Sequence, residues 1–213
     1  MVGSASRSRW HASCVAPGMN FMAQPSELSR SQHLEGAERV IPIGDALISA
    51  TLSAPLRPRG VVVLLHASSA GRFEQRNRFA GQVFDQADLA TLQVDLLTPG
   101  EEAARGNGGD LARENKLMTE RALAAVEWLQ SEPTTAGLPV GLLASTSETV
   151  SAINAAERSS RIVALVSEGG CPRCPEELPS NLRTPTLLLL GEYERARAAE
   201  LASEYFARHF LDQ

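Results

Sequence analysis

Gly60 to His66 reads GVVVLLH, an unbroken apolar run that ends on a polar residue. With no alternation of polar and apolar positions, it reads as a strand buried on both faces, as found inside a parallel sheet covered by helices. On its carboxyl side, Arg76 to Gln86 reads as a helix and Ala90 to Leu96 as a second strand. Pro99 to Gly109 is rich in glycine and proline and reads as a loop. Leu111 to Gln130 is the best helix, with Leu111, Met118, Ala122, Val126 and Leu129 on one face and charges opposite. Val140 to Ala144, Ile162 to Val166 and Thr184 to Leu190 are further strands, and Ser147 to Ala156 is a helix between the first two. The last helix, Arg195 to Leu211, puts Ala198, Leu201, Ala202, Tyr205 and Phe206 on one stripe. On the amino side, Val40 to Ile43 and Ala46 to Leu52 flank the turn signal Gly44-Asp45.

This alternation predicts an α/β fold, a mostly parallel sheet with helices on both faces joined by right-handed crossovers. Ligands in such sheets sit beyond the carboxyl ends of the strands. Those ends are His66, Asp95, Ser145, Glu168 and Gly191, and most of the chemistry-bearing residues fall among them.

Composition narrows the function classes. The chain has 213 residues, 43% hydrophobic and 21% charged, with a net charge of −5. One globular domain fits this size. No basic face for nucleic acid is implied, and the runs Val61 to Leu65 and Leu187 to Leu190 are far too short to span a bilayer. Three cysteines do not make a disulfide scaffold, which favours a reducing, cytoplasmic setting. Residues 1–36 are read as an extension outside the fold, either a disordered tail or the product of a start placed too far upstream, and 37–213 as the domain. No cofactor and no metal site are expected.

Ser145 is the first candidate for chemistry. It follows the strand GLLA and opens the next helix, in the context Leu143-Ala144-Ser145-Thr146-Ser147. A serine at a strand-to-helix turn exposes its hydroxyl near a helix N-terminus, which stabilises developing negative charge. The usual G-x-S-x-G glycines are replaced by Leu143 and Ser147, and an ordinary helix-capping serine has the same spacing. Cys171-Pro172-Arg173-Cys174 could exchange thiols or supply two metal ligands, although one pair is half of a structural zinc site. Arg72, Arg76 and Arg78 are expected to make surface ion pairs, with attraction of an anionic substrate as the lesser role. Gly106-Asn107-Gly108-Gly109 lacks the strand-before, helix-after context of a phosphate-binding loop.

Taken together, VVVLLHASSAGRFEQRNRFAGQVF, ADLATLQVDLLTPGEE, the ASTS turn, ALVSEGGCP and RTPTLLLLGEYE resemble the dienelactone hydrolase-like branch of the α/β-hydrolase superfamily. The resemblance covers about Gly60 to Glu194, with Leu89 to Glu102 its most specific run. It implies hydrolysis of a small-molecule carboxylic ester or lactone, with Ser145 as nucleophile and the N–H groups of Ala67 and Thr146 as oxyanion donors. It implies Glu194 as the acid, with Glu168 a second candidate. The family's histidine is expected after one further strand, yet Glu194 runs almost directly into the last helix. That strand and its histidine loop therefore look missing. His66 stands beside the expected site, where the resemblance gives it a loop-shaping role, and a substitute base is its lesser reading.

A serine without its base is a poor nucleophile, and losing the base costs about 10⁶-fold in the best-studied case. Efficient ester hydrolysis is therefore not expected. Two other classes stand beside it: a non-catalytic relative that binds a small molecule or partner in the same cleft, and a thiol protein using Cys171 and Cys174. The apolar strand Thr184 to Leu190 would lie at an exposed sheet edge, which predicts homodimerisation.

Overall fold

The computed structural model describes residues 34–44, 46–68, 70–105, 110–169, 182–190 and 195–211. Seven strands form one sheet in the order β1-β2-β4-β3-β5-β6-β7. β1 (Leu34–Ile43) and β2 (Ala46–Ala54) make an antiparallel hairpin, and β2 pairs antiparallel with β4 (Ala90–Asp95). β3 (Val61–His66), β4, β5 (Val140–Ser145), β6 (Ile162–Glu168) and β7 (Thr186–Leu189) run parallel. β1 begins at Leu34, inside the segment set aside from the fold on sequence grounds.

The apolar run of β3 explains its central place. Val61, Val63 and Leu65 pack on one face of the sheet with Met118, Ala122 and Val126 of α3 (Leu111–Ser131) and Ala152 and Ile153 of α4 (Thr149–Arg158). Val62 and Leu64 face the other way, towards Phe84 of α1 (Gln75–Gln86) and Ala202 and Phe206 of α5 (Arg195–Leu211). With both faces covered, no position on β3 favours a polar side chain until the strand ends.

α5 lies directly on the sheet. Phe206 is fully buried, edge-on to Phe84 at 6.0 Å and stacked on Phe210 at 5.8 Å. Gly141 of β5 makes this approach possible, since a Cβ there would come within 2.4 Å of the Phe206 ring. Five residues separate β7 from α5, and among the described residues β7 is the outer strand on that side, with Leu190 beyond it 55% exposed.

One element departs from the sequence reading. Pro99 to Arg105, expected as part of a loop, forms the short helix α2. Thr98 and Glu101 make a capping box: Glu101 Oε2 accepts from both the Thr98 N–H and Oγ1 at 2.8 Å, and Pro99 takes the first helical position. The helix is anchored by Arg121 of α3, whose guanidinium donates to both Glu101 carboxylate oxygens and to the Leu96 carbonyl. This reciprocal cap outweighs the glycine and proline content on which the loop expectation rested.

Candidate active site

The parallel register aligns four polar side chains at the carboxyl edge of the sheet. His66 pairs with Asp95 across β3 and β4, and Ser145 pairs with Glu168 across β5 and β6. Leu65 pairs with Ala144, so His66 and Ser145 end neighbouring strands one position further on. Adjacent strands lie about 4.8 Å apart, and in-register parallel neighbours point to the same face. The result is a shallow cleft lined by His66, Arg76, Asn77, Leu143, Ser145 and Glu168. A second depression, at the other end of the sheet between Arg59, Leu89 and Phe210, holds no nucleophile, acid or neutral base.

Ser145 does not stand alone. Its Oγ donates to Glu148 Oε2 at 2.5 Å, and the other carboxylate oxygen accepts from the Ala67 N–H at 2.7 Å and from Ser147 Oγ at 2.7 Å. Glu148 is 3% exposed, so this carboxylate is almost wholly withdrawn from water and held by three donors. A turn from the Ser145 carbonyl to the Glu148 N–H, 3.0 Å long, brings the two side chains together before α4 begins. Ser145 also lies outside the left-handed backbone region, since Asp88 is the one non-glycine residue at positive φ among the described residues. The turn is therefore unstrained at the serine, in keeping with Leu143 and Ser147 standing where the usual pattern has glycines.

His66 is 7% exposed and lies under the turn at Gly71, where a Cβ would come within 2.5 Å of the His66 Cβ. Asn77 Nδ2 donates to the Gly71 carbonyl at 2.7 Å and sits 3.3 Å from His66 Nδ1. Burial, then Arg76, then Arg72 disfavour the imidazolium and hold the ring's pKa down at about 4. The unfolded chain protonates His66 near 6.5 while the folded chain waits until about 4, so between those values the unfolded state carries the extra proton. Stability therefore falls as pH drops from 6.5 towards 4, by about 3 kcal/mol in all. Glu168 and Asp95, both raised by burial and eased back by Arg76 and Arg72 respectively, act in the opposite sense. Urea midpoints at pH 7.5 and 4.5 separate the contributions: the wild type is expected to lose more than His66→Gln, and an equal loss in both would contradict the burial of a neutral imidazole.

Asp95, 2% exposed, is paired with the Arg72 guanidinium and also accepts from the Arg72 N–H at 3.1 Å. Arg76 makes the surface ion pair expected of it, with Glu74 at 3.2 Å, whereas Arg72 turns inward onto the buried Asp95. Thr146 places its Oγ1 3.5 Å from the Glu168 carbonyl. Glu194, Cys171, Cys174 and Gly106 to Gly109 lie outside the described residues. Among the described residues no three His, Cys, Asp or Glu side chains cluster as a metal site, and no helix is long and apolar enough to cross a membrane. Glu148 is the residue that sequence reasoning missed. Its one signal was the S-x-x-E spacing from Ser145.

Comparison with solved structures bears on the family. The dienelactone hydrolase of Anabaena variabilis superposes with a TM-score of 0.70 at 26% identity, covering 82% of this chain and 98% of that one. The chain has a dienelactone hydrolase-like α/β-hydrolase fold. Other neighbours support the same architecture: an α/β serine hydrolase without a lid from Xanthomonas campestris (TM-score 0.57, 11% identity, 84% of this chain and 94% of that one) and a cold-adapted esterase from an Arctic intertidal metagenomic library (TM-score 0.60, 12% identity, 89% and 100%). No family model matches the sequence. Two Mycobacterium tuberculosis proteins, from strains CDC 1551 and H37Rv, are 36% identical over 159 residues and carry the provisional name of phosphoribosyl transferase. The match takes in 74% of this chain, which spans about a third (35%) of the length of these relatives. The transferase name therefore describes proteins most of whose length has no counterpart here.

Proposed function

We propose that this α/β-hydrolase-like chain hydrolyses small carboxylic esters or lactones slowly, with Ser145 as nucleophile and Glu148 in place of a histidine base. The observation that carries the reading is the 2.5 Å contact from Ser145 Oγ to Glu148 Oε2 at the carboxyl edge of the sheet. Ser145 Oγ bonds to the substrate's carbonyl carbon as its proton passes to Glu148 Oε2, and the C=O electron pair moves onto oxygen. Collapse of that intermediate breaks the bond to the leaving alkoxide, which takes the proton back from Glu148. Water then attacks the acyl-serine, giving a proton to Glu148, and the serine leaves with that proton as the acid is released.

The Ala67 N–H, expected as an oxyanion donor, in this reading holds Glu148 instead, and the Thr146 N–H keeps its expected role. A carboxylate is a weaker general base than imidazole. Activated esters and strained lactones are therefore the favoured substrates. A non-catalytic cleft is the second reading, favoured by the unstrained backbone at Ser145. Hydrolysis of p-nitrophenyl acetate separates the two: Ser145→Ala is expected to lower kcat/KM by about 10³-fold, less than the about 10⁶-fold lost with the nucleophile of a full triad, because the base here is a carboxylate. Equal rates for the wild type and Ser145→Ala would favour the non-catalytic cleft.

A further inference from the structure

We propose that His66 is an electrophilic donor, its Nε2–H holding the carbonyl oxygen of the ligand in the position that the occupied Ala67 N–H leaves unserved. The proposal rests on the ester or lactone reading above for its chemistry, but its geometry stands apart from Ser145.

The tautomer follows from the partners of Asn77. The Gly71 carbonyl can only accept, so the Asn77 group 2.7 Å from it is the NH₂. That same Nδ2 lies 3.3 Å from His66 Nδ1 and brings a second hydrogen to it. Nδ1 must therefore be the bare, accepting nitrogen, which puts the ring's single proton on Nε2. The opposite tautomer would set donor against donor at Asn77. Base catalysis through Nε2, the lesser reading from sequence, needs that opposite tautomer.

Nε2 is buried and has no hydrogen-bond partner among the described residues. A buried N–H without an acceptor is costly, and such an orphan in a functional cleft points to a ligand atom that completes it. His66 lines the same cleft as Ser145, from the end of the adjacent strand. The charged groups around the ring are Arg76 and Arg72, with Asp95 tied to Arg72 and Glu168 across the cleft. Burial first, then Arg76 and Arg72, keep the imidazole neutral, so it donates a hydrogen bond without giving up a proton. The chemistry recognised is an uncharged carbonyl oxygen that gains negative charge as the serine adds. No bond forms or breaks at His66. A donor aimed at that oxygen contributes about 10²–10³-fold in turnover in comparable sites.

Two measurements test this. The first uses ¹⁵N-histidine-labelled Ser145→Ala protein, so that no turnover intrudes, and records the His66 ring nitrogens with and without γ-butyrolactone. The expected result is a proton on Nε2, a bare Nδ1, and a shift of the Nε2–H resonance on adding the lactone. The second compares kcat/KM for p-nitrophenyl acetate in the wild type, His66→Ala and His66→Gln. A loss of about 10²-fold is expected for His66→Ala, with at least tenfold regained in His66→Gln through its amide N–H. A proton on Nδ1, an Nε2–H unmoved by lactone, or a His66→Gln no faster than His66→Ala would overturn the proposal. If Ser145→Ala turns over ester as fast as the wild type, the serine reading fails while the lactone shift still decides the role of His66.

Discussion

Glu148→Gln is expected to lower kcat/KM for p-nitrophenyl acetate by about 10³-fold, within the range a positioned general base supplies. That corresponds to about 4 kcal/mol of barrier. Glutamine keeps the shape and keeps one carbonyl oxygen to accept from the Ala67 N–H and Ser147 Oγ, so the turn is expected to survive. What it removes is the atom that accepts the Ser145 proton at 2.5 Å. Glu148→Ala is the less informative variant, because it leaves the Ala67 N–H without its 2.7 Å acceptor and costs about 1–3 kcal/mol of stability for an unsatisfied buried donor. A Glu148→Gln rate within threefold of the wild type would remove Glu148 from the mechanism. A faster variant would mean that the carboxylate obstructs the serine.

Phe206→Ala is expected to lower unfolding free energy in urea by about 3–5 kcal/mol, the usual cost of emptying a buried phenylalanine site. Phe206 has no exposed surface, and it touches Phe84 from α1, Phe210 from its own helix and the backbone at Gly141. Relaxation into the void is restricted, because β5 beneath it is a central strand paired on both sides. The variant tests the arrangement in which α5 packs straight onto the sheet a few residues after β7. A loss below about 1 kcal/mol, typical of a surface position, would contradict that packing.

The sheet was legible in the sequence because its signals are local and redundant. GVVVLLH needs no partner to be read as a buried strand, and the stripe from Met118 to Leu129 needs none to be read as an amphipathic helix. Ser145 was legible by its place after GLLA. Glu148 was not, because an acid at the start of a helix already has an ordinary explanation in the helix dipole. Its role depends on the Ala67 N–H, 81 residues away, which the β3–β5 register brings alongside. His66 was visible as a residue beside the site but not as a donor, since the tautomer is decided by Asn77 and the Gly71 carbonyl together. The Thr98-Pro99-Gly100-Glu101 cap of α2 was readable in principle, and glycine and proline content masked it.

The role of Ser145 as a nucleophile activated by Glu148 is tested by labelling with a fluorescent fluorophosphonate, with the adduct located by peptide mass. Stoichiometric modification of Ser145 is expected in the folded wild type, with none in Ser145→Ala and a labelling rate in Glu148→Gln slowed by about 10³-fold, as for loss of a general base. A folded wild type that fails to label, or one that labels no faster than Glu148→Gln, would contradict that role.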